Sequence, residues 1–203
     1  MPRMGITHLV AIVLTWTTAG AQPPAERTAM LQEADAIWRA HGVSIVAVAP
    51  GQAGPPAADA RLVVTLARAS RPPAVPGRRE RLGAILFDHD NAPATTLTID
   101  VAAVAAIVAR VRPGGRPFDQ WPPAGRDVLV GRALGRVLAH EIGHYLLASR
   151  GHTSAGLMRA AFDGDELVRP GRGSFGMAAR DLPRLRMRLA GLGRSSSLAE
   201  NAR

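Results

Sequence analysis

The chain has 203 residues, of which 47% are hydrophobic and 20% charged, a composition typical of one globular domain rather than of a disordered chain. All 25 basic residues are arginine and the formal net charge is +9, yet the arginines are scattered and aromatic residues make up only 4%, which argues against nucleic-acid binding. The absence of cysteine excludes disulfides and thiolate metal sites, so any zinc must be held by histidines and carboxylates.

An apolar run near the N-terminus is typical of an export signal. Arg3 supplies a positive charge, residues 9–16 are apolar, and Ala19-Gly20-Ala21 fits the small-residue pattern of a cleavage site. A bilayer span needs about 20 residues, so a retained membrane anchor is disfavoured, and a buried N-terminal strand is disfavoured further. The sequence therefore predicts a secreted or periplasmic protein that has no stable membrane insertion after cleavage.

The first half of the mature chain alternates between helical and strand patterns. Apolar residues at helical spacing predict a helix over residues 25–41, which Gly42 ends. Asp100 is positioned to cap a second helix, which runs to about Val111. Short runs rich in β-branched and other apolar residues predict four strands, at residues 43–49, 61–69, 82–88 and 96–99.

A long helix dominates the second half. It is predicted to begin near Arg126 and to end near Arg150, where Gly151 can adopt the left-handed conformation that terminates a helix. A last helix is predicted over residues 178–190. The expected fold class is α+β, with a small mixed sheet packed on helices. The expected organisation is a signal peptide at 1–21, one domain at 22–191 and a disordered tail at 192–203.

The long helix contains the segment HEIGH, which has the spacing of a zinc site. His140 and His144 are one helical turn apart, so both imidazoles project from the same face and can bind one ion. Zinc in catalytic sites takes three protein ligands and one water. Glu141 is next to the first histidine and is placed to accept a proton from that water. Zn²⁺ is therefore the predicted cofactor.

A third protein ligand must come from outside the helix. His152 is the nearest histidine, and the glycine before it permits the chain to reverse. A downstream carboxylate is the alternative, and the candidates are Asp163, Asp165 and Glu166. A solvated acidic turn or a helix N-terminus is the favoured interpretation of those carboxylates.

The segment from His140 to Met158, HEIGHYLLASRGHTSAGLM, resembles the zinc-binding segment of metzincin metallopeptidases, in particular its matrixin-like form. In that family the third histidine lies six residues after the second, whereas His152 lies eight residues after His144, so the turn would be two residues longer. The resemblance implies a zincin-like fold with His140, His144 and His152 on zinc. It also implies that Met158 packs in a turn beneath the metal, although an ordinary core methionine predicts the same burial.

These features predict a zinc metallopeptidase that hydrolyses a peptide or protein substrate, and a monomer is assumed. The resemblance implies that an extended peptide lies along an edge strand, for which residues 82–88 and 96–99 are the candidates. Two alternatives remain open: a non-catalytic exported binding protein with a zinc-stabilised scaffold, and a zinc hydrolase of another amide or ester. The Asp88-His89-Asp90 cluster is expected to be an exposed turn rather than a cation site.

Overall fold

The fold is given by a computed structural model that describes residues 9–18, 22–49, 52, 55, 58–68 and 81–201, with side chains described as far as residue 194. A five-stranded sheet of order β2-β1-β3-β5-β4 packs on helices, which confirms the predicted fold class. The strands are β1 (Val10–Thr18), β2 (Val43–Ala47), β3 (Ala60–Ala67), β4 (Gly83–Phe87) and β5 (Pro93–Asp100). The α-helices are α1 (Pro24–Arg39), α2 (Val101–Val108), α3 (Pro123–Leu147), α4 (Gly164–Val168) and α5 (Leu182–Asn201).

The N-terminal apolar run forms β1, an interior strand of the sheet. It pairs in parallel with β2 on one side and with β3 on the other, and Ile12, Val13 and Leu14 are fully buried. A chain that began at Gln22 would lack the strand that joins β2 to β3. The structure therefore shows the buried N-terminal strand that the sequence analysis disfavoured, while the predicted domain boundary at residue 22 stays a prediction.

The other parts of the predicted export signal lie outside the described residues. These parts are the positive charge at residue 3 and the cleavage pattern at residues 19–21. In the described part of the chain, the helices are too short or too polar to cross a membrane. Export to the periplasm or the medium stays a prediction from the sequence.

β4 lies at the edge of the sheet and is its one antiparallel strand. β1, β2, β3 and β5 are parallel to one another. β4 pairs with the side of β5 that faces away from β3, and it runs in the opposite direction. β5 is hydrogen-bonded on both sides, to β3 and to β4. Of these two strands, only β4 therefore has a free edge in the described part of the chain.

Helix α3 packs tightly on α1, and this contact holds the histidine-bearing part of α3 in place. A Cβ atom at Gly131 or Gly135 would collide with main-chain atoms of α1, so the two backbones approach more closely than larger residues would allow. Further along, the Trp38 indole of α1 donates to the carbonyl of Ala139 at 3.0 Å in the core. Ala139 directly precedes His140, so the start of the HEIGH segment is tied to α1.

Several helix ends differ from their predicted positions. α3 ends at Leu147 rather than near Arg150, and α2 ends at Val108, before the predicted Val111. α5 continues to Asn201, through most of the tail that was expected to be disordered. The predicted cap is confirmed, because the Asp100 side chain accepts from the backbone N–H of Ala103.

Candidate metal centre

His140 and His144 project from the C-terminal end of α3 into the protein, and each is 6% exposed. The Nδ1 atom of His140 lies 2.7 Å from the carbonyl oxygen of Leu157, and that of His144 lies 2.6 Å from the carbonyl oxygen of Ser149. A carbonyl oxygen can only accept a hydrogen bond, so each Nδ1 carries the proton and donates. Each Nε2 is consequently left with a lone pair.

The two Nε2 atoms of these histidines are 3.0 Å apart. Because both protons are on Nδ1, neither Nε2 can donate to the other, and the two lone pairs face each other. A cation between them would replace this repulsion by coordination. Tetrahedral zinc, with bonds of about 2.05 Å, would separate two nitrogen ligands by about 3.3 Å, close to the observed distance. Metal-bound histidines commonly hold their second ring N–H on a carbonyl in this way.

His152 joins this pair because the chain reverses direction after α3. Its ring centre is 5.3 Å from that of His140 and 4.9 Å from that of His144. One nitrogen from each of the three rings lies within 4.8 Å of the others. Within the described residues, this is the one group of histidines and carboxylates with the geometry to hold a metal ion. The structure thus brings together the three ligands that the sequence predicts.

The reversal is made at Ala148, and not at Gly151 as predicted. Ala148 has φ 43°, the left-handed conformation that ends α3. Two arginines near the start of α5 hold the turn from outside: Arg184 donates to the carbonyl of Ala148 at 2.8 Å, and Arg180 donates to that of His152 at 3.3 Å. The third histidine is therefore presented by a turn that the C-terminal helix supports.

The three imidazoles have the charge state that a metal requires. Burial lowers the pKa of His140 to about 4, and it also lowers the pKa of His144 and of His152. For His140 the hydrogen bond to Leu157 opposes the effect of burial, whereas the charges of the other two histidines and of Arg159 add to it. All three rings are neutral at neutral pH. Three neutral imidazoles that converge on one point are a donor set that fits zinc, with a fourth position for water.

Glu141 lies beside His140 and is 4% exposed. Its carboxylate lies against Gly83 of β4. Burial raises the pKa of Glu141 to about 8, and the positive charge of Arg81 acts in the opposite direction. The sequence analysis identified Glu141 but missed Arg81 and Gly83, because no spacing rule connects a loop and a strand with a distant helix.

Met158 lies beneath the histidines. It is 1% exposed, and a Cβ atom at Gly143 would overlap its sulfur, so the side chain packs on the α3 backbone between the two helical histidines. The adjacent Leu157 supplies the carbonyl that holds His140, and its own N–H donates to the carbonyl of Gly176 at 2.9 Å. This packing agrees with the position that the metzincin resemblance implies and equally with an ordinary core methionine, so the Met-turn stays a prediction. Any effect of Met158 on the metal stays a prediction.

Comparison with known proteins relates the chain to others through its fold. No family model matches the sequence, and no curated protein matches it. Among solved structures, the chain is similar to archaemetzincin from Methanopyrus kandleri, with a TM-score of 0.51 and 15% sequence identity, over 93% of this chain and 98% of that chain. The fold is archaemetzincin-like. At this identity the similarity establishes a zincin-like architecture, while the matrixin-like details of the metal-binding segment stay predictions.

The downstream carboxylates are not brought to the metal centre. Asp163 caps the short helix α4, where it accepts from the N–H of Asp165 at 2.8 Å. Glu166 accepts from the N–H of Asp163 at 3.3 Å and forms an ion pair with Arg159 at 2.9 Å. These carboxylates form a capping box at a helix N-terminus, the interpretation favoured by the sequence. Of the candidates for the third ligand, His152 is the one that lies with His140 and His144.

The Asp88-His89-Asp90 cluster forms the turn between β4 and β5. Asp88 accepts from the backbone N–H of Ala92 at 2.8 Å, which shapes the turn. The side chains of His89 and Asp90 are 89% and 77% exposed and lie 3.1 Å apart. The cluster is separate from the three-histidine group, and its polar residues act as turn residues, as expected.

Proposed function

We propose that this protein is a zinc-dependent metallopeptidase that uses Glu141 as its general base. The observation that carries the proposal is the convergence of three neutral imidazoles beside a buried carboxylate. Such convergence has no evident structural purpose, since it places the Nε2 atoms of His140 and His144, neither of which carries a proton, 3.0 Å apart. A bound divalent cation removes that conflict, and the similarity in fold to archaemetzincin supports the same assignment.

The residues have distinct tasks in this proposal. His140, His144 and His152 hold Zn²⁺, which when bound makes a water more acidic and polarises the substrate carbonyl. Glu141 is buried next to the site and accepts the proton of the attacking water on its carboxylate. It then delivers that proton to the leaving amine. The carboxylate needs to be ionised for this task, and the charge of a zinc ion bound by the three neutral histidines would lower its pKa from the raised value.

The free edge of β4 is the surface that we propose for the substrate. An extended peptide can add to an exposed strand through main-chain hydrogen bonds, which demand little of the peptide sequence. Residues 96–99 belong to β5, which is paired on both sides, so the sheet order favours β4 over β5. β4 also contacts the helix that carries Glu141. The peptide bond to be cleaved would therefore lie between the strand edge and the histidines.

A hydrolysis assay tests the function directly. The full chain, loaded with zinc, is incubated with a mixed library of quenched fluorescent peptides, with and without a chelator. We expect cleavage that the chelator abolishes and that zinc restores. Glu141→Gln keeps the size of the side chain but cannot accept the proton, so kcat is expected to fall by about 10²–10⁴-fold while zinc remains bound.

The outcomes separate the alternatives. Cleavage of ester or other amide probes, but of no peptide, would replace the peptidase by another zinc hydrolase. Zinc binding without hydrolysis of any probe, together with unfolding of His144→Ala and no effect of Glu141→Gln, would identify a zinc-stabilised scaffold. Peptide hydrolysis that is insensitive to both chelator and Glu141→Gln would contradict the proposal.

A further inference from the structure

Gly83, the first residue of β4, lies directly against the side chain of Glu141. A Cβ atom built on Gly83 would be 2.6 Å from the Oε1 atom of Glu141, 2.9 Å from its Cγ and 3.0 Å from its Cδ. Carbon atoms in ordinary contact are about 3.5–4.0 Å apart, so these distances leave no room for even a methyl group. A glycine within a strand weakens it and often marks a close approach of another part of the molecule.

The strand cannot easily move away to make room. Gly83 pairs with Ile99 of β5, which is fully buried, and the carbonyl of the preceding Leu82 accepts from the N–H of Asp100 at 2.9 Å. This end of β4 is therefore fixed to β5, whose other edge is bonded to β3. The contact distance is set by the sheet rather than by a loop.

The helix on the other side of the contact is fixed as well. α3 is held against α1 by the close approach at Gly131 and Gly135 and by the Trp38 hydrogen bond to Ala139. With the sheet and the helix both fixed, a side chain at position 83 can be accommodated mainly by rotation of the Glu141 carboxylate. The missing side chain at position 83 thus determines where that carboxylate can lie.

We propose that Gly83 is a positioning residue: its lack of a side chain lets the edge strand contact Glu141 and holds the carboxylate in the orientation it needs as the base. This inference rests on the proposed function and adds a second role for β4. The strand edge binds the peptide, and the strand's first residue sets the orientation of the proton acceptor. The same strand therefore fixes both the position of the bound peptide and the orientation of the Glu141 carboxylate.

Gly83→Ala is the direct test in the peptidase assay. We expect kcat to fall by about 10–100-fold, because displacement of a catalytic group by about 1 Å has effects of this size. KM and the zinc Kd should change by less than about threefold, since no metal ligand and no backbone donor is removed. Gly173→Ala is the matched control, because the space around that glycine is open. Equal kcat for Gly83→Ala and wild type would overturn the proposal.

A second measurement needs no activity. In the zinc-free protein, Gly83→Ala should lower Tm by about 5 °C through overpacking. The loss should persist with Glu141→Gln, which has the same size, and largely vanish with Glu141→Ala, which removes all three contacting atoms. An equal loss of Tm in all three backgrounds would show that the contact does not exist and would refute the proposal. An inactive wild type would refute the peptidase function, while this cycle would still decide the contact.

Discussion

Helix α3 contributes buried polar side chains to two clusters one turn apart, and these clusters differ in how their polar atoms are paired. The first surrounds Arg136, which is fully buried. Its Nε donates to Glu33 at 2.8 Å, its Nη1 donates to the carbonyl of Glu166, and its Nη2 donates to the carbonyls of Arg169 and Gly171 at 2.7 and 2.9 Å. This cluster is complete without any added group.

The second cluster joins the buried His140 and His144 with the exposed His152. Its Nδ1–H donors on the helix are paired with carbonyls, but its Nε2 atoms meet without a proton between them. Arg136 therefore makes four hydrogen bonds, whereas one turn further on the Nε2 atoms of His140 and His144 lie 3.0 Å apart and neither can donate to the other. The difference marks the first cluster as part of the fold, whereas the second has the geometry to hold a metal ion, which the proposed function assigns to it.

Breaking the Arg136 cluster should have the largest effect on stability. Arg136→Met removes all four hydrogen bonds and leaves the buried Glu33 with Arg172, at 2.8 Å, as its remaining partner among the described residues. We expect the free energy of unfolding to fall by about 3–5 kcal/mol, as measured by urea denaturation. Arg39→Met is the matched control, because Arg39 pairs with Asp35 at the surface and should contribute less than about 1 kcal/mol.

The double variant Arg136→Met with Glu33→Gln sharpens this test. If the cost arises from an uncompensated buried charge, neutralising the carboxylate should recover part of the lost stability. No recovery would mean that the carbonyl contacts of Arg136 to the loop after α4 dominate instead. In either case the zinc affinity should remain measurable, because no histidine is altered.

Zinc binding to His140, His144 and His152 should have the next largest effect on stability. Zinc at about 100 times its Kd should raise the free energy of unfolding by about 2.7 kcal/mol, because the ion binds the folded chain. His144→Ala should abolish this increment, whereas Arg136→Met should retain it on a lower baseline. An equal response to zinc in His144→Ala would show that the ion binds elsewhere. A lost increment in Arg136→Met would show that the two clusters are coupled.

The two clusters also differ in how far the sequence revealed them. The histidine site follows local rules: a four-residue spacing on a helix and a nearby histidine after a turn, which together predicted all three residues. The Arg136–Glu33 pair joins residues 103 positions apart, and no spacing rule predicts such a pair. The contact of Gly83 with Glu141 was missed for the same reason, since only the folded sheet brings the two together.

The fold was predicted where local signals decide it. Periodicity and caps located α1, β2, β3, β4 and the Asp100 cap. β1 was misinterpreted because a short apolar run has the same composition in an export signal and in a buried parallel strand. The end of α3 was misplaced because a left-handed alanine at position 148 is uncommon, and the available glycine nearby was the better local candidate.

In the zinc-free protein, the pH dependence of stability distinguishes the contribution of Glu141 from that of the neighbouring histidines. Burial raises the pKa of Glu141 from 4.5 to about 8, so between these values the folded state binds more protons than the unfolded state. Stability therefore falls as pH rises through this window. From pH 6.5 to 8 we expect a loss of about 2 kcal/mol, measured by urea denaturation in the presence of chelator. Glu141→Gln should lack this loss, and its stability should rise slightly over the same range, because the histidines of the unfolded chain, with an ordinary pKa of 6.5, still release protons there.

Below pH 6.5 the histidines act with the opposite sign. Burial lowers the pKa of His140 from 6.5 to about 4, so the unfolded state binds more protons in this window and stability falls as pH decreases. In the wild type this trend is offset by Glu141 down to pH 4.5, its ordinary pKa, so the curve should be shallow there. In Glu141→Gln the acid side should become steeper. A wild-type curve that rises from pH 6.5 to 8 would contradict the buried, protonated carboxylate.

Substitution of Met158 should have the smallest effect on stability. It tests whether zinc binding by the three histidines depends on the side chain packed beneath them. The side chain fills the space over Gly143, with its sulfur and methyl group nearest to the helix backbone. Met158→Leu conserves volume and should lower the free energy of unfolding by less than about 1.5 kcal/mol. The zinc Kd, from competition with a chelator of known affinity, should change by less than about threefold, because the Leu157 carbonyl still orients His140. A much larger loss of zinc affinity at unchanged stability would assign the methionine a direct influence on the metal, beyond packing.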